Sequence, residues 1–341
     1  MSSSWTVSTW GLENLQLQKT PCPDPGPGEV KVALRAAALN YRDLLVVEGK
    51  YNPRFPLPLV PCSDAMGEIV EVGSGVSSGL LKKSVLTLFC PQWHAGDAQR
   101  SALRNTLGGP LPGVLSQFRI YRPEELFVLP EPSALTPEEW ATLPCAGVTA
   151  WNCLIDQAQL RAGQSVLLIG TGGVSLFGLQ IAKVSGAKCL LLSSSAEKRE
   201  RALELGADAV ADYRANPNWS EWVLQQTNGK GVDVVLETGG AGTLPQSIKS
   251  TKVGGHISLI GVLSGAEDNL NILGLIMKGL TVRGAVVGSK AHLQSLHDAI
   301  LHTMTRPVVQ KSYSWDEVPK AFEALSCGGH FGKITIALPS V

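Results

Sequence analysis

The stretch 165–178, S-V-L-L-I-G-T-G-G-V-S-L-F-G, constrains this chain more than any other. Val166, Leu167, Leu168 and Ile169 form an apolar run with no polar alternation, which predicts a strand buried on both faces. Gly170, Gly172 and Gly173 follow at once, and Leu176, Phe177, Leu179, Ile181 and Val184 then recur at helical spacing. A strand, a glycine turn and a helix in that order is the context in which a glycine motif carries meaning. Gly170 permits a tight turn, and Gly172 leaves no side chain between the backbone and a pyrophosphate. The helix start at Gly173 and Val174 would offer free N–H groups and a positive dipole end to the phosphates. The third small position of the usual pattern holds Ser175, so a plain strand–helix turn with glycines for packing is the competing explanation.

The surrounding chain decides how such a turn is housed. From residue 165 onward, strand-like runs at 188–192, 209–211, 232–236, 256–260 and 280–287 alternate with helical segments. Six strands with helices between them predict a doubly wound parallel sheet. The earlier region differs. It has strands at 29–39, 68–72 and 117–121, a turn-dense connector P-C-P-D-P-G-P-G at 21–28, and a long loop at 90–116. It reads as a β-rich, barrel-like domain. Thr136, Pro137 and Glu139 spell a capped helix start, interrupted near Pro144 and followed by a second helix at 150–158. The tail adds helices at 292–303 and 315–325 and a strand at 333–337. At 341 residues, two domains are expected. The β-rich one spans 1–128 and 291–341, and the doubly wound one spans 129–290.

Charge and cysteine usage exclude several classes. Lys plus Arg balance Asp plus Glu at 29 each, which argues against nucleic acid or an anionic membrane as partner. The start M-S-S-S-W-T-V has neither the basic nor the apolar segment of a signal peptide, and no run of about 18 apolar residues occurs. Seven cysteines include no C-x-x-C pair, which argues against a disulfide framework and a cysteine-cluster metal site. A cytoplasmic location is the expectation.

Several stretches together resemble the medium-chain dehydrogenase/reductases, and within them the zinc-free quinone oxidoreductase-like branch. They are L-N-Y-R-D-L at 39–44, P-C-S-D at 61–64, L-P-C-A-G-V-T at 143–149, the glycine turn, G-V-D-V-V-L-E at 231–237, G-G-H-I-S-L-I-G-V at 254–262 and H-F-G-K-I at 330–334. The resemblance implies a GroES-like, barrel-like catalytic domain with an inserted Rossmann domain. Zinc-dependent members carry Cys where this chain has Asn40, Gly-His-Glu where it has Cys62-Ser63-Asp64, and their third ligand aligns with Cys145. Catalytic zinc needs three protein ligands, so no metal is expected. A weak set of Cys145, Asp64 and His94 is the one alternative, and a small buried residue under the cofactor is the other role for Cys145.

The resemblance also implies the cofactor. The second strand of the doubly wound sheet ends in Ser193-Ser194-Ser195, with no carboxylate for two ribose hydroxyls. Serine hydroxyls and the Lys198 ammonium suit a 2′-phosphate, with Tyr213 matching the tyrosine of NADPH-using quinone reductases. NADP(H) is therefore expected. Thr149 matches the threonine on the nicotinamide side. Gly239, Gly261, Val262, Val286 and Val287 fall at carboxyl ends of strands, and Phe331 and Lys333 match the segment that returns to the cofactor.

Without a Lewis acid, hydride addition to an enone or a quinone is favoured, since the charge spreads onto an oxygen that hydrogen-bond donors stabilise. Tyr41 is the candidate proton donor, with water as the equal alternative and His94 of the long loop as a further acid or a plain exposed histidine, and Asn40 would orient the substrate carbonyl or the nicotinamide ribose. Asp43 and Asp64 would brace the site. An NADPH-dependent enone or quinone reductase leads. An alcohol dehydrogenase or carbonyl reductase, and a non-enzymatic NADPH-binding protein, stay open. The partners expected are a small electrophilic substrate and a second copy of the chain, pairing through the edge of the Rossmann sheet.

Overall fold

A computed structural model describes residues 2–265 and 272–339. The chain divides into two compact units, Met1–Val148 with Val287–Val341, and Thr149–Val286. The boundaries expected at 128/129 and 290/291 both fall inside the first unit. Segments on either side of them pack together there: the Arg306 guanidinium meets the Glu139 carboxylate at 2.7 and 2.9 Å, and His297 stacks on Trp140 with ring centroids 5.5 Å apart.

The first unit is built on a seven-stranded sheet. Val30–Ala38 is its centre, and the residues of this strand are nearly all buried and apolar, as a strand covered on both faces must be. Asp64–Val72 pairs antiparallel along one side of it, and Ser84–Thr87 and Leu126–Val128 extend that side. The other side is shared by Phe118–Tyr121 and Lys333–Ala337, with Val309–Ser314 beyond. Ser2–Val7 and Leu15–Thr20 form the expected opening hairpin as a separate antiparallel pair. One core runs through the unit, with Leu34, Phe322, Leu115 and Ile336 fully buried in it.

The second unit is a six-stranded, all-parallel sheet. Its order is Ala209–Ala211, Lys188–Leu192, Ser165–Ile169, Val232–Glu237, Thr251–Leu259, Thr281–Gly284. This is the doubly wound Rossmann arrangement, and the strand order reverses between Ser165–Ile169 and Val232–Glu237.

Three features depart from the expectation. The first helix, Pro137–Ala141, ends at Thr142 as the interruption near Pro144 requires, but helical turns resume at once rather than at 150: wide turns at Leu143–Gly147 and Asn152–Gln157 flank Val148–Trp151, and Pro144 sits in the first turn of this stretch, where no backbone donor is needed. The last parallel strand stops at Gly284 rather than at 287, where Val287 turns into a left-handed conformation with φ 44°. The 90–116 loop contains a short helix, Arg100–Arg104.

Candidate functional site

Each unit carries one constellation of the residues singled out from sequence. In the second unit the glycine turn lies at the strand-order reversal, where sheets of this kind bind ligands. Gly170 has φ 77°, a conformation open to glycine at no cost. Gly172 caps the helix Gly173–Val184 with an ordinary φ of −78°, and a Cβ on it would meet no protein atom within 4 Å. The fold itself therefore makes no demand for glycine there, and the open space is what a phosphate approaching the backbone needs. Gly178 is different. A Cβ there would lie 2.5 Å from Leu236 Cδ1 and 3.0 Å from Leu168 Cδ2. It performs the close helix–sheet packing that the motif assigns to its third glycine. Ser175, in the usual third position, donates its hydroxyl to the Ile169 carbonyl at 2.8 Å and ties the helix start to the strand end.

At the end of the second strand, the Ser193 amide donates to Ala211 O at 3.0 Å and its carbonyl accepts from Arg199 at 2.7 Å. Arg199 also holds Asp212 at 2.9 Å, so it is the clamp of this turn. Ser195 caps the helix Ala196–Glu204 by accepting the Lys198 amide at 3.3 Å. Ser193, Ser194 and Lys198 thus gather in one turn, with Tyr213 half-buried in the loop beyond Asp212. Partial burial pulls the Lys198 ammonium below the usual lysine value, against the opposing charge of Glu197.

The third part of this constellation was missed from sequence. Glu237, fully buried at the end of its strand, accepts the amides of Gly239 at 2.8 Å and Gly240 at 3.1 Å. It also accepts the hydroxyls of Thr243 and Ser247. Its main-chain oxygen receives Gly261 N at 3.2 Å, and Ser264 N closes on Gly239 O at 2.7 Å. One carboxylate therefore shapes the loops holding Gly239, Gly261 and Val262. Its signal was an acid directly after the buried run Val234, Val235 and Leu236. Val262 and Val286 are half exposed, whereas Thr149 is buried.

The first unit assembles a buried polar cluster. Asn40 opens the helix Tyr41–Val47, and its amide N–H donates to Asp43 Oδ2 at 2.8 Å. Burial pushes the Asp43 carboxyl up to about 6, with Arg42 and the Asn40 amide pulling it down. Asp64 accepts the Ser63 hydroxyl at 2.6 Å and the Cys145 amide at 3.0 Å. Burial raises its carboxyl, and the Lys333 ammonium is the strongest influence against that. Burial also drives the Cys62 and Cys145 thiols well above the ordinary range, reinforced by the charges of Asp43 and Asp64. Cys62 has φ 70°, and the loop crosses over it at Gly108 and Gly113, where a Cβ would come within 2.7 and 2.2 Å of its carbonyl oxygen. Gly108 and Gly113 of the long loop are thus there for close passage.

Lys333, expected to face the cofactor, points into this cluster. It is 4% exposed, and its Nζ donates to Leu39 O at 2.6 Å and to Asn40 Oδ1. Arg42, not singled out from sequence, lies between the rings of Tyr51 and Phe89, 4.9 and 5.0 Å from their centroids. It donates to Leu107 O at 2.9 Å and Thr106 Oγ1 at 2.8 Å and so ties the long loop to the helix that carries Tyr41. Tyr41 is 41% exposed, and Phe331 is buried. His94 is exposed, with Nε2 3.1 Å from Pro91 O.

A zinc ion does not fit these groups as they stand. Asn40 presents an amide whose oxygen is taken by Lys333, and Ser63 a hydroxyl already given to Asp64. Among the described residues no three His, Cys, Asp or Glu side chains converge as a metal site would require.

A GroES-like unit that takes up a Rossmann unit in mid-chain, with an open glycine turn and a buried acid–amide–lysine cluster, defines an oxidoreductase of the dehydrogenase type. The chain belongs to the medium-chain dehydrogenase/reductase superfamily. Residues 26–131 match the alcohol dehydrogenase GroES-like domain and residues 173–302 the zinc-binding dehydrogenase family. Over 335 residues the chain is 38% identical to a zinc-type alcohol dehydrogenase-like protein of Schizosaccharomyces pombe, covering 96% of each. It is 28% identical over 332 residues to the acryloyl-coenzyme A reductase of Metallosphaera sedula, covering 95% of this chain and 96% of that one. The crystal structure of a putative alcohol dehydrogenase from Sinorhizobium meliloti superposes with a TM-score of 0.91 at 38% identity, with 98% of each chain covered. Among the described residues no helix is long and apolar enough to cross a membrane.

Proposed function

We propose that this protein is an NADPH-dependent reductase that adds hydride to the β-carbon of an α,β-unsaturated carbonyl compound or to a quinone, without a metal. The observation that carries this reading is the donor set of the first unit: an amide and a hydroxyl, each committed to an internal hydrogen bond, beside a thiol held protonated by its surroundings. Such a set presents hydrogen-bond donors rather than metal ligands. Similarity to an acryloyl-coenzyme A reductase, named for a conjugated thioester, supports the same reaction class.

The nicotinamide, when bound, supplies the hydride. The glycine turn and the helix start at Gly173 receive its pyrophosphate, and Ser193, Ser194 and Lys198 receive a 2′-phosphate. Asn40 orients the substrate carbonyl. Tyr41 gives its hydroxyl proton to the enolate that hydride addition leaves, and water re-protonates the phenolate. The carboxylates of Asp43 and Asp64 hold the backbone at Asn40 and Cys145 in place.

The same reading includes a homodimer. Among the described residues Thr281–Gly284 is the outermost strand of its sheet, with all four residues exposed, and Ile272, Ile276 and Met277 of the adjoining helix are at least 63% exposed. A second copy adding its own edge strand would cover both.

A second reading, an alcohol dehydrogenase, is favoured by the names of the S. pombe and S. meliloti relatives. The deciding experiment is cofactor oxidation by metal-analysed protein against quinones, enones, enoyl thioesters, ketones and alcohols, with NADPH and NADH in parallel. Enone or quinone turnover with NADPH at no metal content is the expected result. Ketone or alcohol turnover with about one zinc per chain would overturn it.

A further inference from the structure

The parallel sheet of the second unit turns polar at one edge, on one of its two faces. Leu168, Leu236, Ser258 and Arg283 are lateral neighbours on four successive strands, and so are Val166, Val234, His256 and Thr281. Side chains two residues apart on a strand point the same way, so these eight share a face. Its inner half is apolar and lies beneath Gly178 and Leu154, where a Cβ on Gly178 would stand 2.5 Å from Leu236 Cδ1 and 3.9 Å from Leu154 Cδ1. Its outer half carries an imidazole, two hydroxyls and a guanidinium. Ser258 is 0% and His256 9% exposed, yet among the described residues Ser258 Oγ and His256 Nε2 have no hydrogen-bond partner. Arg283 is exposed on the outermost of these strands, and among the described residues no carboxylate pairs with it. Burial lowers the His256 imidazole from its usual value, and the charge of Arg283 lowers it further. Burial pushes the Cys153 thiol up to about 12, with the Ser258 hydroxyl and Arg283 pulling it down.

Buried donors that lack acceptors, beside a cation that lacks an anion, are what an oxyanion complements. We propose that this edge binds one oxyanion of the phosphate class per chain, with Arg283 giving its guanidinium fork, His256 an Nε2–H and Ser258 its hydroxyl. The arginine and the serine are lateral neighbours about 4.8 Å apart at the backbone, and the imidazole stands two residues back, so one tetrahedral anion spans all three. The anion also settles a conflict in the homodimer, and this part of the inference rests on that reading. A second copy adding its Thr281–Gly284 antiparallel to the same edge is related by a two-fold axis normal to the sheet, so its Arg283 stands on the same face. The segment 278–290 carries Lys278, Arg283 and Lys290 and no acid, so neither strand brings a carboxylate to the other's arginine. Like charges across paired strands are destabilising. A bound oxyanion offsets the guanidinium charge in each copy, while the backbone groups in the sheet plane stay free to pair.

Inorganic phosphate is the probe. It is titrated calorimetrically into protein saturated with NADPH, which takes the glycine turn, with ionic strength held constant by chloride. The parent should bind about one phosphate per chain. Arg283→Gln should weaken that binding at least about tenfold and His256→Phe at least about threefold. Arg283→Lys, which keeps the charge without the fork, should fall between the parent and Arg283→Gln. No phosphate bound by the parent, or equal affinity in Arg283→Gln, overturns the site. Sedimentation then reads the seam between copies. Phosphate should tighten self-association of the parent at least about tenfold and leave that of Arg283→Gln unchanged. A dimer indifferent to phosphate overturns the link between the anion and the seam. A parent that stays monomeric while binding phosphate through Arg283 sinks the homodimer reading and leaves the site standing.

Discussion

Glu237 Oε1 accepts the main-chain amide of Gly239 at 2.8 Å, so the acid at the end of a strand builds the loop that follows it. Its two oxygens collect four donors in all, two amides and the hydroxyls of Thr243 and Ser247. Glu237→Gln turns one acceptor into an NH2 facing donors. It should cost about 2 kcal/mol in urea unfolding of the cofactor-free protein, the range for buried bonds to a charged group. Parent-like stability would show that the donors find other partners.

Gly172 and Gly178 separate two reasons for glycine. Alanine at 178 places a methyl 2.5 Å from Leu236 Cδ1 and should destabilise the unit by about 1–3 kcal/mol. Alanine at 172 meets nothing in the protein, so stability should change by less than about 1 kcal/mol. Cofactor affinity should nevertheless fall at least tenfold, about 1.4 kcal/mol, in calorimetric titration. Unchanged binding by Gly172→Ala would remove the phosphate from this turn.

The Asp43 carboxyl sits above its ordinary 3.8, at about 6. The native state then holds a proton that the unfolded state has released between those values. The stability contributed by this group is full at low pH and is lost as pH rises through about 6, by about 3 kcal/mol for a shift of about two units. Asp43→Asn should therefore gain on the parent as pH goes from about 4 to about 7 in denaturation midpoints. A gain in the opposite direction would mean that Arg42 dominates and the carboxylate is stabilised as an ion.

Arg42 joins two elements through a planar group that lysine cannot imitate. Arg42→Lys keeps the charge but loses the paired contacts to Leu107 and Thr106. The expected result is faster proteolytic cleavage within residues 90–116 and a substrate KM raised about tenfold, with a smaller change in kcat. Cleavage at the parent rate would assign the loop's order to its own glycines.

Lys198 gives the direct check on cofactor choice. Lys198→Ala should weaken NADPH binding at least tenfold, about 1.4 kcal/mol, and leave NADH binding unchanged. Equal losses for both would place the lysine away from a 2′-phosphate.

Periodicity made the parallel sheet legible. The strands at 165–169 and 188–192 stand where apolar runs put them, because a strand buried on both faces admits little else. The β-rich unit was less so. Ser84–Thr87, Leu126–Val128 and Val309–Ser314 are short or partly exposed, and their pairing comes from distant residues rather than from a local pattern. The candidate site divides in the same way. Glycine turns announce themselves in one dimension, whereas Lys333 and Asn40 meet across 293 residues. Nothing near either residue signals that the amide oxygen is the ammonium's partner. Gly178 was overlooked because its reason lies in Leu236, on another strand.

The strand Lys333–Ala337 fills the slot between Val30–Ala38 and Val309–Ser314. During synthesis the Rossmann unit, one unbroken segment, can close as it leaves the ribosome. The sheet around Asn40 must wait with an open seam until residues 333–337 emerge. The nascent chain therefore holds a closed parallel sheet before it owns the charge that organises its other half, and a polypeptide cut short of that strand would keep one unit whole and leave the other with an open seam.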